Sequence, residues 1–454
     1  MKIYLLNKVI TNPETIESFG VTEYKNLRFK NKTLEDYFKE VLEFEEFFQI
    51  DTLDQIRDPE HLDIMVISYE FFIKEKILFQ NYIKFIKEAF LNIFIGEVDN
   101  SFIYKGNCGD FNDFDNWKSL VYRIPKPDLV INLGVFIELN KLITENPDKR
   151  HFNSLEKKQN IYKKTSLNKD KLKSEYSYLK NIESTLSHFY AEVYDYGEEG
   201  DTSFYTMRAY SFKDVSYQFL SKTLSSNDFS VIFDKLVEYF KESRVGHKIK
   251  SNTIDFDNLL IKNLSRFNEL KSDSCLFNKL NKYMKLMFDH DLEYLFSSID
   301  NHLKNNKEAY INAPTIISHG DLCFSNILFC KINKRIKLID PRGIENKGLR
   351  SSYYDAAKFS HSYLGNYDLI INKKSDLSLN DNLKLEMKFD NGYSLNTQIF
   401  NDFIKDLNLD VKIVRLVEAS LFLSMIVLHK EDSRKCILLC AQSFETFSQY
   451  THKS

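Results

Sequence analysis

Residues 316–343, IISHGDLCFSNILFCKINKRIKLIDPRG, decide how the rest of this 454-residue chain is read. They place His319, Asp321 and Asn326 in one polar loop between apolar segments. After a basic turn they bring in Asp340 at the end of the apolar run containing Leu338 and Ile339. Moving the γ-phosphoryl group of ATP needs little covalent help; it needs a carboxylate facing the attacking hydroxyl and oxygen ligands that hold Mg²⁺ against the phosphates. The spacing offers both. Asp321 faces the hydroxyl, Asn326 reaches the metal from the same loop, and Asp340 returns to it from the far side of a hairpin. His319 then keeps the loop in shape by bonding backbone groups. Loops favour Asp and Asn in any protein, so Asp-x-x-x-x-Asn alone would mean little. The preceding His, the flanking apolar strands and the late Asp separate this loop from an ordinary one.

His-Gly-Asp-Leu-Cys-Phe-Ser-Asn-Ile-Leu, followed by Ile-Lys-Leu-Ile-Asp-Pro-Arg-Gly, resembles the catalytic and metal loops of the aminoglycoside phosphotransferase and choline kinase family, which has the protein-kinase-like fold. More narrowly, it is similar to the phosphotransferase halves of bacterial capsule and surface-polysaccharide proteins, where a sugar-nucleotidyltransferase-like domain often comes first. The resemblance spans roughly residues 150–445. It implies an α+β bilobal kinase-like domain with a large helical C-lobe, ATP and Mg²⁺ as cofactors, Asp321 and His319 as the catalytic-loop residues, and Asn326 and Asp340 as metal ligands. It also implies a strand lysine braced by a helix glutamate, here Lys164 and Glu175. Adjacent Lys163 would point to the other face, because strand side chains alternate. Met207 and Ala209 fall in the hinge, where backbone groups would read the adenine edge. No GxGxxG covers the phosphates; Asn153 and Ser154 would stand in as a polar loop. Asp355 matches a residue that braces the catalytic loop, and equally an ordinary helix cap. Arg342 could hold a phosphate or carboxylate bidentately, or simply occupy a surface turn.

Composition bounds the rest. The chain has 62 basic and 65 acidic residues and a formal net charge of -3, so no global field attracts nucleic acid or anionic lipid. Its six cysteines form no CxxC pair, which argues against zinc and a disulfide framework. The N-terminus lacks a long apolar run before a cleavage site, and the most apolar stretch, 419–428, is too short to span a bilayer. The expectation is a cytoplasmic protein without a transmembrane segment.

Residues 1–147 read as an α/β domain. Strands are expected near 3–6, 63–68, 91–95, 120–123 and 129–133, with helices at 34–48 and 77–89, in a mostly parallel sheet. The order is similar to a sugar nucleotidyltransferase, but the glycine-rich entry loop is missing, so the domain reads as a degenerate relative with a structural role. The apolar pattern breaks at 143–151, giving a kinase-like domain at 148–454 with an N-lobe at 148–210 and a C-lobe at 211–454. Helices are expected at 231–240, 253–270 and 276–303. Together these readings imply an ATP- and Mg²⁺-dependent phosphotransferase acting on a hydroxyl of a sugar, polyol or amino alcohol for a surface polysaccharide. Its partners would be that small acceptor and other polysaccharide-biosynthesis enzymes. The alternative is a catalytically silent nucleotide-binding scaffold.

Overall fold

The computed structural model describes residues 1–451 apart from 30–31, 44, 59–61, 90–91, 97–101, 110–121, 125–129, 136–137, 140–141, 143–152, 159, 343–347, 373, 380–384 and 390–394. The boundary expected at 143–151 therefore lies outside the described residues. The chain forms two compact units. One is Met1–His151 with Leu155–Lys157 and Ser211–Lys213; the other is Phe152–Ser154, Lys158–Tyr210 and Asp214–Ser454.

The first unit is built on strands β1 (Lys2–Leu6), β2 (Phe47–Ile50), β3 (Asp63–Ser68), β4 (Ile93–Gly96), β5 (Phe102–Asn107) and β6 (Tyr122–Ile124), ordered β2-β1-β3-β5-β4-β6. β1 runs parallel to β2 and β3, and β4 to β6. β5 runs antiparallel to both of its neighbours. The sheet is thus mixed, where the sequence suggested a mostly parallel one. Only residues 97–101 separate β4 from β5, too few for the crossover that a parallel pair requires. Tyr4, Leu6, Ile64, Val66, Phe94 and Tyr104 form one core cluster. Ile3, Leu5, Met65 and Ile67, which alternate with them along β1 and β3, are buried too. Helix α1 (Leu34–Val41) starts at a capping box between Thr33 and Asp36 and stops at Val41. The expected helix at 34–48 is shorter because Phe47–Ile50, rich in strand-favouring side chains, pairs with β1 instead.

Strand β7 (Asn153–Lys158) is divided between the two units; in the second, β8 (Ile161–Ser166), β9 (Val193–Glu199) and β10 (Thr202–Arg208) form a sheet in which β10 lies between β8 and β9. Asn153 and Ser154 lie within a strand, so the polar phosphate loop expected there is not formed by them. Helix α2 (Lys169–Lys180), capped by the Asn168 side chain, packs on β9 and β10 and buries Leu172, Glu175, Tyr178 and Leu179. The helical part contains α3 (Ser226–Glu242), α4 (Ile249–Ser272), α5 (Ser274–Phe288) and α6 (Leu292–Asn305). The helix expected at 276–303 is two helices. Asp289 takes a left-handed backbone with φ of 59°, and Asp291 caps the next helix by accepting from the Tyr294 amide. Next come β11 (Thr315–Ile317), the hairpin of β12 (Ile327–Cys330) and β13 (Arg335–Leu338), and β14 (Leu349–Ser351), which pairs with β11. Further along the unit come α7 (Ser352–Tyr363), α8 (Val411–Met425) and α9 (Ser433–Thr451). Among the described residues no helix is long and apolar enough to cross a membrane.

α8 is buried on every side from Ile413 to Ser424, including Arg415 and Glu418. These two pair at 2.5 Å, and the Ser360 hydroxyl donates to the same Glu418 carboxylate. Removing one partner from a buried pair leaves the other charge desolvated and uncompensated. Glu418→Ala is therefore expected to lower unfolding stability by about 3–5 kcal/mol in urea denaturation followed by circular dichroism. A loss below about 1 kcal/mol would show that Arg415 finds other partners.

Candidate active site

β11 delivers the chain into the loop His319-Gly320-Asp321. Gly320 has φ of 76°, and a Cβ there would lie 2.8 Å from the Cβ of Arg342, so the turn admits no side chain. Asp355, in the first turn of α7, accepts the His319 amide at 2.7 Å and the Gly320 amide at 2.8 Å. Its carboxylate thus braces the loop and does not cap its own helix. Behind the loop, Tyr178 donates to the Ser318 carbonyl at 2.9 Å and Tyr239 to the Ile317 carbonyl at 3.2 Å. Tyr190 lies between them, its hydroxyl 3.0 Å from that of Tyr178 and 3.1 Å from that of Tyr239. Three buried phenols therefore back the loop, with Tyr190 donating to one of its two neighbours.

His319 is fully buried. Its Nε2 donates to the Ile339 carbonyl at 2.8 Å, and its Nδ1 accepts the Asp321 amide at 3.2 Å. Burial lowers its pKa, in keeping with the neutral ring these bonds require. With both nitrogens bonded to backbone, His319 holds the Asp321 amide and ties the loop to the strand leading to Asp340. Asn326 is buried, donates its side-chain amide to the Asp321 carbonyl at 2.8 Å, and accepts the Ile339 amide on its own backbone carbonyl at 3.0 Å. Two crosslinks, one through His319 and one through Asn326, thus hold the 319–326 loop to the end of the hairpin. Asp340 sits there with φ of 58°, a left-handed conformation that costs a non-glycine residue roughly 1–3 kcal/mol.

Strand alternation divides the two lysines. Lys163 leaves β8 on the outer face, 2.9 Å from Glu199 and 4.0 Å from the Phe204 ring centroid. Lys164 points inward and is buried, with its Nζ 2.6 Å from Glu175 and 2.7 Å from Asp340. Glu175 also accepts from the Tyr205 hydroxyl. Burial opposes the Lys164 charge, yet the carboxylates of Asp340 and Glu175 outweigh it and raise the lysine's pKa. For Glu175, burial and then the Asp340 charge push the carboxyl up to about 7, against the pull of Lys164.

The hinge expectation fares differently. Met207 is buried in β10, opposite Tyr162 and Val193. The Ala209 amide donates to the Asn160 carbonyl at 2.8 Å and the Arg208 amide to Glu192 at 2.9 Å. Ala209 therefore has no amide left to read an adenine edge in this structure, because the sheet edge has taken it.

Two cations close on the carboxylate of Asp321. Arg342 donates to Oδ2 at 2.7 Å, and Lys358 lies 3.1 Å from Oδ1. Lys358 is buried on α7 and was not singled out from the sequence. Its signal was the spacing Asp355-x-x-Lys358, which puts both on one helix face.

A magnesium ion fits the oxygen donors of Asn326 and Asp340. Among the described residues no group of three or more His, Cys, Asp or Glu could hold a metal by itself. Mg²⁺ does not need one, since it commonly takes one or two protein oxygens and completes its shell with phosphate and water.

Gly320→Ala tests the loop geometry. It is expected to cost more than about 1 kcal/mol in thermal or urea unfolding, because the new Cβ meets both an unfavourable φ and the Arg342 side chain.

No family model matches the sequence, and no curated protein matches it. Solved structures similar to the chain include a thermostable mutant of aminoglycoside phosphotransferase APH(4)-Ia, at 10% identity over 64% of this chain and 87% of that one, with a TM-score of 0.39. A putative fructosamine-3-kinase from Haemophilus somnus 129PT aligns at 11% identity over 66% and 88%, with a TM-score of 0.37. The GDP complex of wild-type aminoglycoside 2'-phosphotransferase-IIIa aligns at 12% identity over 67% and 91%, with a TM-score of 0.40.

Proposed function

We propose that the second unit is an ATP- and Mg²⁺-dependent phosphotransferase that phosphorylates a hydroxyl of a small molecule. The observation that carries this reading is Lys164, a buried ammonium shared between Glu175 and Asp340, which lie 11 and 176 residues away in sequence. Desolvating a lysine and a carboxylate together is costly and rarely favours stability over an apolar replacement. A site that must receive polyphosphate and a divalent cation gives that arrangement a use. Lys164 would contact the α and β phosphates, and Glu175 would keep it in place. Asp340, together with the side-chain oxygen of Asn326, would hold Mg²⁺, which when bound neutralises charge on the β and γ phosphates.

Asp321 orients the acceptor hydroxyl. The hydroxyl oxygen forms the new bond to the γ-phosphorus, the bond from that phosphorus to the β–γ bridging oxygen breaks, and ADP leaves. The hydroxyl proton passes to the Asp321 carboxylate and then to water. We also carry forward from the sequence resemblance that the acceptor is a sugar, polyol or amino alcohol used in a surface polysaccharide. On the same ground the first unit is a degenerate nucleotidyltransferase-like domain, and its partners are other enzymes of that assembly. Its β1 and β3 do end side by side in Leu6 and Ser68, where an open α/β sheet binds its ligands.

Thermal shift with ATP, GTP, CTP and UTP, with and without Mg²⁺, is the first test. A purine-triphosphate shift that needs Mg²⁺ and is lost in Asp340→Ala is expected. Asp321→Asn should keep the shift and a native circular dichroism spectrum while acceptor-dependent ADP release falls by about 10²-fold or more. Wild-type turnover in Asp321→Asn would remove this residue from the reaction. Absence of a shift with any nucleotide would leave the scaffold reading without a ligand and the kinase reading without a substrate.

A further inference from the structure

The charge around Asp321 bears on what the acceptor is. Gly320 has two guanidinium-bearing side chains beside it. The position its missing Cβ would occupy is 2.8 Å from Arg342 Cβ and 3.7 Å from Arg350 Cζ. Arg350 also lies over the Tyr354 ring, 5.0 Å from its centroid, and its Nη1 is 3.7 Å from Asp255. Lys262, on α4, approaches the same tyrosine with its Nζ 3.0 Å from the hydroxyl. Lys358 completes the set from α7.

Four cations, Lys262, Arg342, Arg350 and Lys358, thus gather from four separate segments around Asp321 and Tyr354. Three carboxylates face them among the described residues. Asp321 has an oxygen on each of Arg342 and Lys358. Asp255 takes Arg350 and also accepts from the Tyr310 hydroxyl at 2.7 Å and the Ser351 amide at 3.2 Å. Asp355 is committed to two loop amides. Among the described residues Lys262 forms no ion pair. The field of the cations at Tyr354 is positive. Burial pushes its hydroxyl up, yet Lys262, with Lys358 and Arg350, brings it below its ordinary value.

We infer that the acceptor carries an anionic oxygen group, a carboxylate or a phosphate, beside the hydroxyl it presents, and that Arg342 and Lys262 bind that group. This rests on the phosphotransferase reading above. Arg342 suits the task because its side chain is 44% exposed and can swing, whereas Lys358, at 6%, is fixed. A guanidinium exchanges one carboxylate for another with little change in geometry. An anionic acceptor would draw Arg342 off Asp321 and free Oδ2 for the hydroxyl. A cationic amino sugar would instead meet like charges in a half-desolvated site, which disfavours binding strongly.

The test uses the full chain loaded with Mg²⁺ and AMP-PNP. Calorimetry would measure binding of D-gluconate, D-glucose 6-phosphate, D-glucose and D-glucosamine to the wild type, Arg342→Gln and Lys262→Gln. At least one acid is expected to bind tenfold or more tightly than glucose. Gluconate and the phosphate ester separate the two anion classes. Each variant is expected to cut that preference to less than threefold, and half-exposed Lys262 provides a substitution that the fold tolerates. Binding by neither acid, equal or tighter binding of glucosamine, or an unchanged preference in both variants would overturn the inference. So would an Arg342→Gln that weakens AMP-PNP and leaves the acid preference alone, since the arginine would then serve the transferred phosphoryl group. Failure of the wild type to bind Mg²⁺ and AMP-PNP at all would overturn the phosphotransferase reading itself. Nucleotide binding without acid preference would overturn only the charge of the acceptor.

Discussion

The ammonium of Lys164, held between Glu175 and Asp340, is the contact on which the candidate site depends. It joins a strand of the β8-β10-β9 sheet, the helix packed on that sheet and the end of the β12–β13 hairpin. Neither Lys164 nor Glu175 could be buried alone, because each desolvated charge needs the other, and half-buried Asp340 adds a second carboxylate to the lysine. The backbone accommodates the contact at some expense, since Asp340 meets Lys164 from a left-handed conformation. The His319 and Asn326 crosslinks to Ile339 fix the residue before it, so the conformation is imposed by its surroundings.

A second constraint works on the other side of the loop. Asp321 must present a carboxylate, and the loop around it is held almost wholly by backbone bonds: Asp355 takes two amides, His319 a third, and Tyr178 and Tyr239 occupy the carbonyls leading in. The side chain of Asp321 meets the cations Arg342 and Lys358. A loop fixed through its backbone can exchange what binds its side chain without changing shape, which is the property a substrate-binding carboxylate needs.

Much of this was legible in the sequence because it is local. His319, Asp321 and Asn326 lie within eight positions, and their mutual bonds span two to five residues. Lys164 and Glu175, eleven apart, could be paired only through the resemblance. Choosing Lys164 over Lys163 followed from strand alternation once the strand was placed. What the sequence withheld was the long-range part. Nothing near Lys262 announces that α4 brings it to Tyr354 on α7. Ala209 looked available until Asn160 proved to sit opposite it in the sheet. In the first unit, antiparallel β5 and short β2 were missed for a related reason: short apolar runs do not state their partners, and pairing decides direction.

The two constraints together explain why the chain manages without a glycine-rich turn at the positions where one was sought. Such a turn lets backbone amides approach phosphate closely and supplies partial positive charge. Here the positive charge near the proposed reacting groups is carried by whole cations, Lys164 on the side of Asp340 and Arg342 with Lys358 on the side of Asp321. In the structure each is already paired with a carboxylate, so it is stored in place and not left desolvated. Phosphate oxygens and an anionic acceptor would then replace carboxylate oxygens one for one. The fold would thus carry the cations without requiring substrate to be bound.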